Sequence, residues 1–270
     1  MAEAWFKDQV VVITGASSGI GEALAYRLAD QGARLALAAR SAERLNEVAV
    51  EGERRGGKTV AVPTDVSDEA QCKRLMERTV EAYGRIDMLV NNAGFSVRAA
   101  LADLPDLAGF KEVMAVNFMG GVHCTYHALP RLKETRGRIV GVSSVSAVVP
   151  SPLNAAYAAS KQAMAGFFDS LRIELADSGV AVTMIYPDFV VTGLVANTRR
   201  ASGERMGEDA ARRFYKSTMM TADECAAIIV KAAAERRREV TTSRRGKLAR
   251  WMKLLAPGRM DRMAKRIFRA

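Results

Sequence analysis

Short apolar runs rich in β-branched residues recur along this chain, and a longer helix-like pattern separates each from the next. VVVIT (10–14) is followed by IGEALAYRLADQG (20–32), RLALAAR (34–40), a charged helical stretch at 42–55 and KTVAVPTDV (58–66). A helix at 68–83 leads to IDMLVNNAG (86–94), and a long helical region near 110–134 leads to RIVGVSS (138–144). A helix near 155–178 then precedes VAVTMIYP (180–187), and EVTT (239–242) supplies a last short strand. Strands alternating with helices form right-handed βαβ units, which place parallel strands in one sheet with helices on both faces. Strands buried on both faces read as near-continuous apolar runs, as these do. The expected fold is therefore α/β, with a single doubly wound parallel sheet of about seven strands. Only 193–221 lacks clear periodicity, and no linker divides the chain, so one catalytic-sized domain is expected over 1–245 with a tail at 246–270.

The tail stands out by charge. The formal net charge is +10, but residues 236–270 hold thirteen Lys/Arg against Glu239 and Asp261, while the other 235 residues carry 27 basic and 28 acidic groups. Leu248, Trp251, Met252 and Leu255 follow helical spacing opposite Lys247, Arg250 and Lys253. After Pro257-Gly258, Met260, Met263, Ala264 and Ile267 repeat the stripe against Arg259, Arg262, Lys265, Arg266 and Arg269. Two basic amphipathic helices suit an anionic membrane surface. The same stripes equally suit burial against the domain or a second subunit. Nucleic acid is the weaker reading, since Trp251 and Phe268 are the only aromatics available for stacking.

Three scattered cysteines (Cys72, Cys124, Cys225) form neither a disulfide framework nor a zinc spacing, which argues for a reducing compartment. His123 and His127 share a helix face, but no Glu-x-x-His motif accompanies them, so no metal is expected. No signal-like stretch precedes VVVIT, and no apolar run is long enough to span a bilayer. A cytoplasmic protein is expected, peripheral at the membrane if the tail docks there.

Function enters with TGASSGIGEA (14–23), which joins the first strand to the first helix and carries Gly15, Gly19 and Gly21. Glycines there permit a tight turn and close backbone approach, and the helix N-terminus offers free N–H groups to a pyrophosphate. In this position of an α/β chain the turn reads as a dinucleotide site, and the fold as Rossmann-like. The second strand ends Ala38-Ala39-Arg40-Ser41, without the carboxylate that would bind ribose hydroxyls in an NAD site. Arg40 can instead pair with a 2′-phosphate, so NADP(H) is the expected cofactor.

The stretch AAYAASKQA (155–163) puts Tyr157 and Lys161 four residues apart, on one face of an alanine-rich helix. Together with TGxxxGxG (Thr14 to Gly21), NNAG (Asn91 to Gly94), Asn117 in AVNF and Ser144 in VGVSS, the chain resembles the short-chain dehydrogenase/reductase family over about residues 8–242. The resemblance implies a catalytic tetrad of Asn117, Ser144, Tyr157 and Lys161. In it Tyr157 exchanges a proton with the carbonyl oxygen and Ser144 hydrogen-bonds that oxygen. Lys161 holds the nicotinamide ribose and tunes the phenol, and Asn117 orders a water relay behind the lysine. Lowering a phenol by about three pH units requires roughly 4 kcal/mol of differential interaction, plausible for a nearby charge in a partly dry site.

The resemblance also assigns Gly15, Ser17, Ser18, Gly19, Ile20 and Gly21 to the cofactor's phosphates, and Asp65 and Val66 to its adenine. Asn92, Ala93 and Gly94 line the ribose side, while Pro187, Val190 and Thr192 belong to the segment that holds the carboxamide. Asp188 departs from that segment's usual PGxxxT pattern; it stands either in a turn-stabilising hydrogen bond or as a carboxylate near substrate.

A lid is expected near 193–221. Beside Ser144, the expected substrate contacts are Phe95, Leu153, Phe189 and Leu194, with Met219 or Met220 as further candidates, and they favour an apolar ketone, aldehyde or secondary alcohol. A 3-oxoacyl group on a carrier protein or coenzyme A is the alternative, to which Arg199, Arg200, Arg205, Arg212, Arg213 and Lys216 would answer. A non-catalytic NADPH-sensing protein is a third reading, against which the intact tetrad argues. The resemblance further implies a homodimer or homotetramer formed through the helices that contain Asn117 and Tyr157.

Overall fold

The computed structural model describes residues 4–214 and 219–269, with side chains as far as 266. Strand β1 (Val10–Thr14) leads to α1 (Gly19–Ala29), β2 (Arg34–Ala39), α2 (Ala42–Arg54), β3 (Lys58–Pro63), α3 (Glu69–Tyr83) and β4 (Met88–Asn91). Then come α4 (Ala108–Met114), a π-helical turn (Ala115–Met119), α5 (Gly120–Thr135), β5 (Arg138–Val142), α6 (Ala155–Glu174) and β6 (Ala181–Tyr186). The chain continues through β7 (Val190–Val191), α7 (Leu194–Asn197), α8 (Glu208–Phe214), β8 (Met220–Thr221), α9 (Ala222–Ala234), β9 (Glu239–Thr241), α10 (Arg244–Leu255) and α11 (Pro257–Arg269). Local chemistry fixes several boundaries. Ser41 and Asp68 cap α2 and α3 through their side chains, and Thr221 with Glu224 forms a capping box on α9.

Seven strands form one parallel sheet in the order β3-β2-β1-β4-β5-β6-β9, and β7 pairs with β8 beside it. The alternation of side chains along each strand feeds two cores. Val12, Ala36, Leu89, Ile139 and Val182 face α3, α5 and α6, where they meet Leu75, Leu132 and Phe168. Val11, Ile13, Leu35, Val90 and Ile185 face the other way, onto Leu24, Leu28, Val48 and Ile229 of α1, α2 and α9. Strand order reverses between β1 and β4, and in open α/β sheets a crevice opens at such a point beyond the carboxyl ends of the strands.

The expected strands are real but shorter, because the polar ends Asn92–Gly94 and Ser143–Ser144 leave the sheet to line that crevice. The helix expected at 110–134 is interrupted by the π turn around Asn117. The expected lid holds two short helices, α7 and α8, rather than an irregular loop, and residues 215–218 lie outside the described residues.

In the tail, Pro257 opens α11 rather than ending a helical run, since a first helical position needs no N–H. Helix α10 begins at Arg244, upstream of the boundary expected at 245/246. Its apolar stripe faces outward, with Leu248, Trp251 and Leu255 exposed by 63%, 62% and 80%. Gly246 is buried instead, and Met260 and Ala264 of α11 are covered. Met263 is exposed, and the expected stripe member Ile267 lies beyond the described side chains, as do Phe268 and Arg269.

Candidate active site

A cavity of about 590 Å³ lies in the crevice and gathers most of the residues singled out from sequence. At one end lies the turn between β1 and α1. Gly15 has φ +66°, and a Cβ there would sit 2.8 Å from Ala93 Cα. A Cβ on Gly21 would meet the Gly15 carbonyl oxygen at 2.2 Å. Only glycine lets this turn close so tightly against β4. Asn92 fastens it, donating from Nδ2 to the carbonyls of Thr14 (3.0 Å) and Gly15 (3.2 Å), while its own N–H and that of Ala93 donate to Thr14 Oγ1. Ser18 caps α1 in an extended conformation without a side-chain hydrogen bond, so the first-turn N–H groups remain open to an anion. Ser17, Gly19 and Ile20 line the same end.

Arg40 follows β2 at the cavity rim, and Ser41 and Arg44 stand with it. Arg44 also pairs with Glu47, whereas Arg40 has no acidic partner among the described residues. Asp65 and Val66 line the wall. The Asp65 carboxylate accepts from the N–H and hydroxyl of Ser67, and the Val66 carbonyl is contacted by a His123 ring nitrogen at 3.2 Å. His127 lies against Glu69 (3.3 Å), so each histidine has its own local contact.

Ser144, Tyr157 and Lys161 converge at the far end. Ser144 caps a 3₁₀ turn (Val145–Ala147), and its Oγ accepts from the Ser146 N–H at 3.1 Å. Tyr157 and Lys161 come from successive turns of α6, whose register is locked by neighbours: Ser143 Oγ donates to the Lys161 carbonyl (2.9 Å) and Ser160 Oγ to that of Tyr157 (2.7 Å). Lys161 is buried, donates to the Val142 carbonyl (2.8 Å) and lies 5.8 Å from the Tyr157 ring centroid.

Burial holds the Lys161 ammonium down to about 8. Burial also pushes the Tyr157 phenol up, and a hydrogen bond with Ser144 works against that rise. The sequence expectation is a phenol held down by the ammonium and the oxidised nicotinamide together, whereas the protein's own surroundings, burial first, push it up.

Asn117 lies at the centre of the π turn and is fully buried. Its amide accepts from the Phe95 N–H (2.9 Å) and donates to the Phe95 carbonyl (2.9 Å) and Ser160 Oγ (3.1 Å). The Asn117 side chain is therefore taken up in holding Gly94-Phe95 beside Lys161. A Cβ on Gly94 would lie 3.4 Å from Lys161 Nζ, so the proximity is close.

Two expected substrate contacts are not in the cavity lining. Phe95 and Leu194 are there, but Leu153 occupies a left-handed turn (φ +64°), where its carbonyl accepts from Ala99 N–H (2.8 Å). Phe189 turns away to stack edge-on against Phe214, 5.3 Å between centroids, with the Arg245 guanidinium 5.0 Å over its ring. Met220 pairs with Val190 in the small β7–β8 sheet and packs on the core. Of the arginines suggested for an acidic carrier, Arg199 is paired with Glu112, Arg205 reaches the cavity rim, and Lys216 lies outside the described residues.

The segment Pro187–Thr192 passes directly over the catalytic end. The Pro187 carbonyl accepts from the Val145 N–H at 2.9 Å, and a Cβ on Gly19 would lie 3.1 Å from Thr192 Cβ. Val190 and Thr192 line the cavity with Pro187. Asp188 keeps a negative φ, so this position needs no glycine. Asp188 also lines the cavity, and its carboxylate makes no local turn bond but accepts from Ser243 Oγ (2.7 Å) and twice from Arg245 Nη2 (3.0 Å to each oxygen). Those partners lie 55 and 57 residues away and left no trace in the local sequence.

The short chain dehydrogenase family profile matches residues 9–203. An 11-beta-hydroxysteroid dehydrogenase A of Sesamum indicum is 38% identical over 256 residues, covering 94% of this chain and 73% of that protein. An 11-beta-hydroxysteroid dehydrogenase-like 3 of Arabidopsis thaliana is 42% identical over 187 residues, covering 69% and 60%. Several of these relatives are thus considerably longer than the region they share with this chain. Among solved structures, a short chain dehydrogenase/reductase from Burkholderia phymatum in complex with NAD superposes with a TM-score of 0.81 at 28% identity, over 92% of this chain and 93% of the other. An alcohol dehydrogenase from Thermococcus sibiricus complexed with 5-hydroxy-NADP gives 0.74 at 28% identity, over 87% and 96%.

Proposed function

This chain belongs to the short-chain dehydrogenase family of oxidoreductases, and from that premise we propose that it uses NADP(H) to interconvert a carbonyl and a secondary alcohol on an apolar substrate. The observation that carries the reading is the convergence of Ser144, Tyr157 and Lys161 at one end of a cavity whose other end holds the glycine turn and Arg40. The dinucleotide fits what is present: backbone space that any Cβ would fill, open N–H groups at α1, and a cationic rim after β2. Arg40 and Arg44, with Ser41 between them in sequence, suit a 2′-phosphate and favour NADP(H) over NAD(H).

When bound, the nicotinamide exchanges the hydride with the substrate carbon. The chain's own groups manage the oxygen. Ser144 Oγ accepts from the Ser146 N–H, and its one hydrogen, shared with Tyr157 in the structure, would turn to the carbonyl oxygen when substrate binds. The Tyr157 phenol, pushed up by burial, is protonated at neutral pH, the form that gives a proton to that oxygen during reduction. The Lys161 ammonium spends one donor on Val142 and keeps two, enough to hold a ribose hydroxyl and to stabilise the phenolate left behind. Phe95 and Leu194 give the substrate end an apolar wall.

Turnover of NADPH or NADP over a panel of ketones, aldehydes and secondary alcohols tests this, and the relatives' names put hydroxysteroids on that panel. Tyr157→Phe keeps the ring and the cofactor site, so NADPH binding should survive while turnover falls at least about a hundredfold. Tight NADPH binding without turnover on any panel member would leave the sensing role standing instead.

The outward stripe of α10 favours a peripheral location. Leu248, Trp251 and Leu255 project from a helix without a single acidic residue, flanked by Arg244, Lys247 and Lys253. That charge complements an anionic lipid surface, into which the stripe would insert its apolar groups. Exposed Tyr126 on α5 and Ile173 on α6 leave those helices open for a homodimer or homotetramer.

A further inference from the structure

We infer that Asp188 is a positioning residue: with Ser243 and Arg245 it forms a clasp through which the first turn of α10 sets the segment over the catalytic end of the cavity. The inference rests on the dehydrogenase reading for its consequence and on geometry for its existence.

The segment from Pro187 to Thr192 has few means of holding its own shape. It contributes the two-residue strand β7 and a local bond from the Leu194 N–H to Thr192 Oγ1 (3.2 Å), while the ties at its Asp188 end run to distant parts of the chain. The Asp188 N–H donates to Thr242 Oγ1 (3.1 Å), and the Thr242 N–H donates to the Tyr186 carbonyl (3.2 Å). The Asp188 carboxylate then receives Ser243 Oγ at 2.7 Å and Arg245 through Nε at 3.2 Å and Nη2 at 3.0 Å. A two-nitrogen grip from a guanidinium fixes orientation as well as distance.

Ser243 is also the cap of α10, accepting from the Gly246 N–H at 2.9 Å. One hydroxyl therefore donates to the cofactor-side segment and accepts from the helix. Gly246 brings the helix against the catalytic turn itself, since a Cβ there would lie 3.3 Å from Val145 Cγ2. Val145 follows Ser144 and donates its N–H to the Pro187 carbonyl. The clasp, the α10 cap and the Ser144 turn thus form one contiguous unit.

Arg245 has a second contact, its guanidinium lying over the Phe189 ring. Side chain 188 is 16% exposed and 245 is 67% exposed, so the carboxylate is sheltered while the arginine closes over it from solvent. Removing Arg245 takes one hold from Asp188 and one from Phe189, leaving Asp188 to Ser243 and Thr242 and the ring to Phe214. Its consequence for binding should be independent of the adenosine end, because Arg40 stands at the opposite end of the cavity.

The test uses the full chain with Asp188→Ala, Arg245→Ala and the double variant, and Arg245→Lys as the conservative one. Amide hydrogen exchange across 187–194 and titration with NADPH and NADH are the readouts. Each single alanine variant should accelerate exchange in 187–194 and weaken both cofactors about five- to tenfold, a modest figure because the arginine is solvent-exposed. The double variant should be no worse than Asp188→Ala alone, which already loses both partners, and Arg245→Lys should recover part of the loss. Thermal midpoints should stay close to wild type, separating positioning from general stability. Additive effects, or unchanged exchange at 187–194 in Arg245→Ala, would overturn the clasp. If Asp188→Ala does not fold, Arg245→Ala and Arg245→Lys still decide, since their side chain lies at the surface. If the wild type binds neither cofactor, the dehydrogenase reading fails while hydrogen exchange still judges the clasp.

Discussion

Lys161 should make the folding stability of this protein depend on pH in a way that one substitution removes. Its ammonium is buried and drops from an ordinary 10.5 to about 8. Between those values the unfolded chain holds a proton that the folded chain has lost. Stability should therefore rise with pH from about 8 to about 10.5. Below 8 both states are charged, and the cost of burying the ammonium is present in full.

Integrating the difference gives about 2 kcal/mol of added stability between pH 7 and 9.5 from this one group, out of about 3 kcal/mol available over the whole window. Lys161→Met keeps the length and apolar stem but cannot titrate. Urea unfolding of the cofactor-free proteins at pH 7, 8, 9 and 9.5, followed by circular dichroism, isolates the term as the difference between wild type and variant. Subtraction also cancels Tyr26, Tyr83 and Tyr186, whose phenols burial pushes up to about 12 and which act in both proteins alike. Parallel curves would show that Lys161 is not desolvated as its surroundings indicate, and would remove the basis for treating it as a tuned ammonium.

Cofactor choice and location give the remaining tests. Arg40→Ala should weaken NADPH by about 1.5–3 kcal/mol more than NADH, toward the lower end because the guanidinium is exposed, and equal losses in fluorescence titrations would place the 2′-phosphate elsewhere. Trp251→Glu with Leu255→Glu should abolish salt-sensitive co-sedimentation with vesicles containing phosphatidylserine while NADPH binding persists. Failure of the unaltered protein to sediment with such vesicles at low salt would reject the membrane reading. These substitutions serve better than deleting 246–270, which would cut through α10 at Gly246, where the helix meets the Ser144 turn.

What the sequence determined by itself was whatever depends on local pattern. Runs such as VVVIT name a sheet buried on both faces, because only burial makes continuous β-branched strands favourable. The spacing of Gly15, Gly19 and Gly21, and of Tyr157 and Lys161, is likewise legible, since turn closure and helical register are set within a few residues. Arg40 was legible with them because it directly follows the strand that delivers it to the rim.

Only tertiary structure decided how distant segments divide their polar groups. Asn117 serves Phe95 because the π turn aims its amide there. Asp188 serves α10 because the chain returns beside it more than fifty residues later. The tail shows the division most plainly. Its amphipathic periodicity was written in the sequence, yet periodicity fixes an angle around a helix and not the helix's position against the domain. Gly246, small enough to approach Val145 and Thr241, turns the opposite face of α10 inward and leaves Leu248, Trp251 and Leu255 toward solvent.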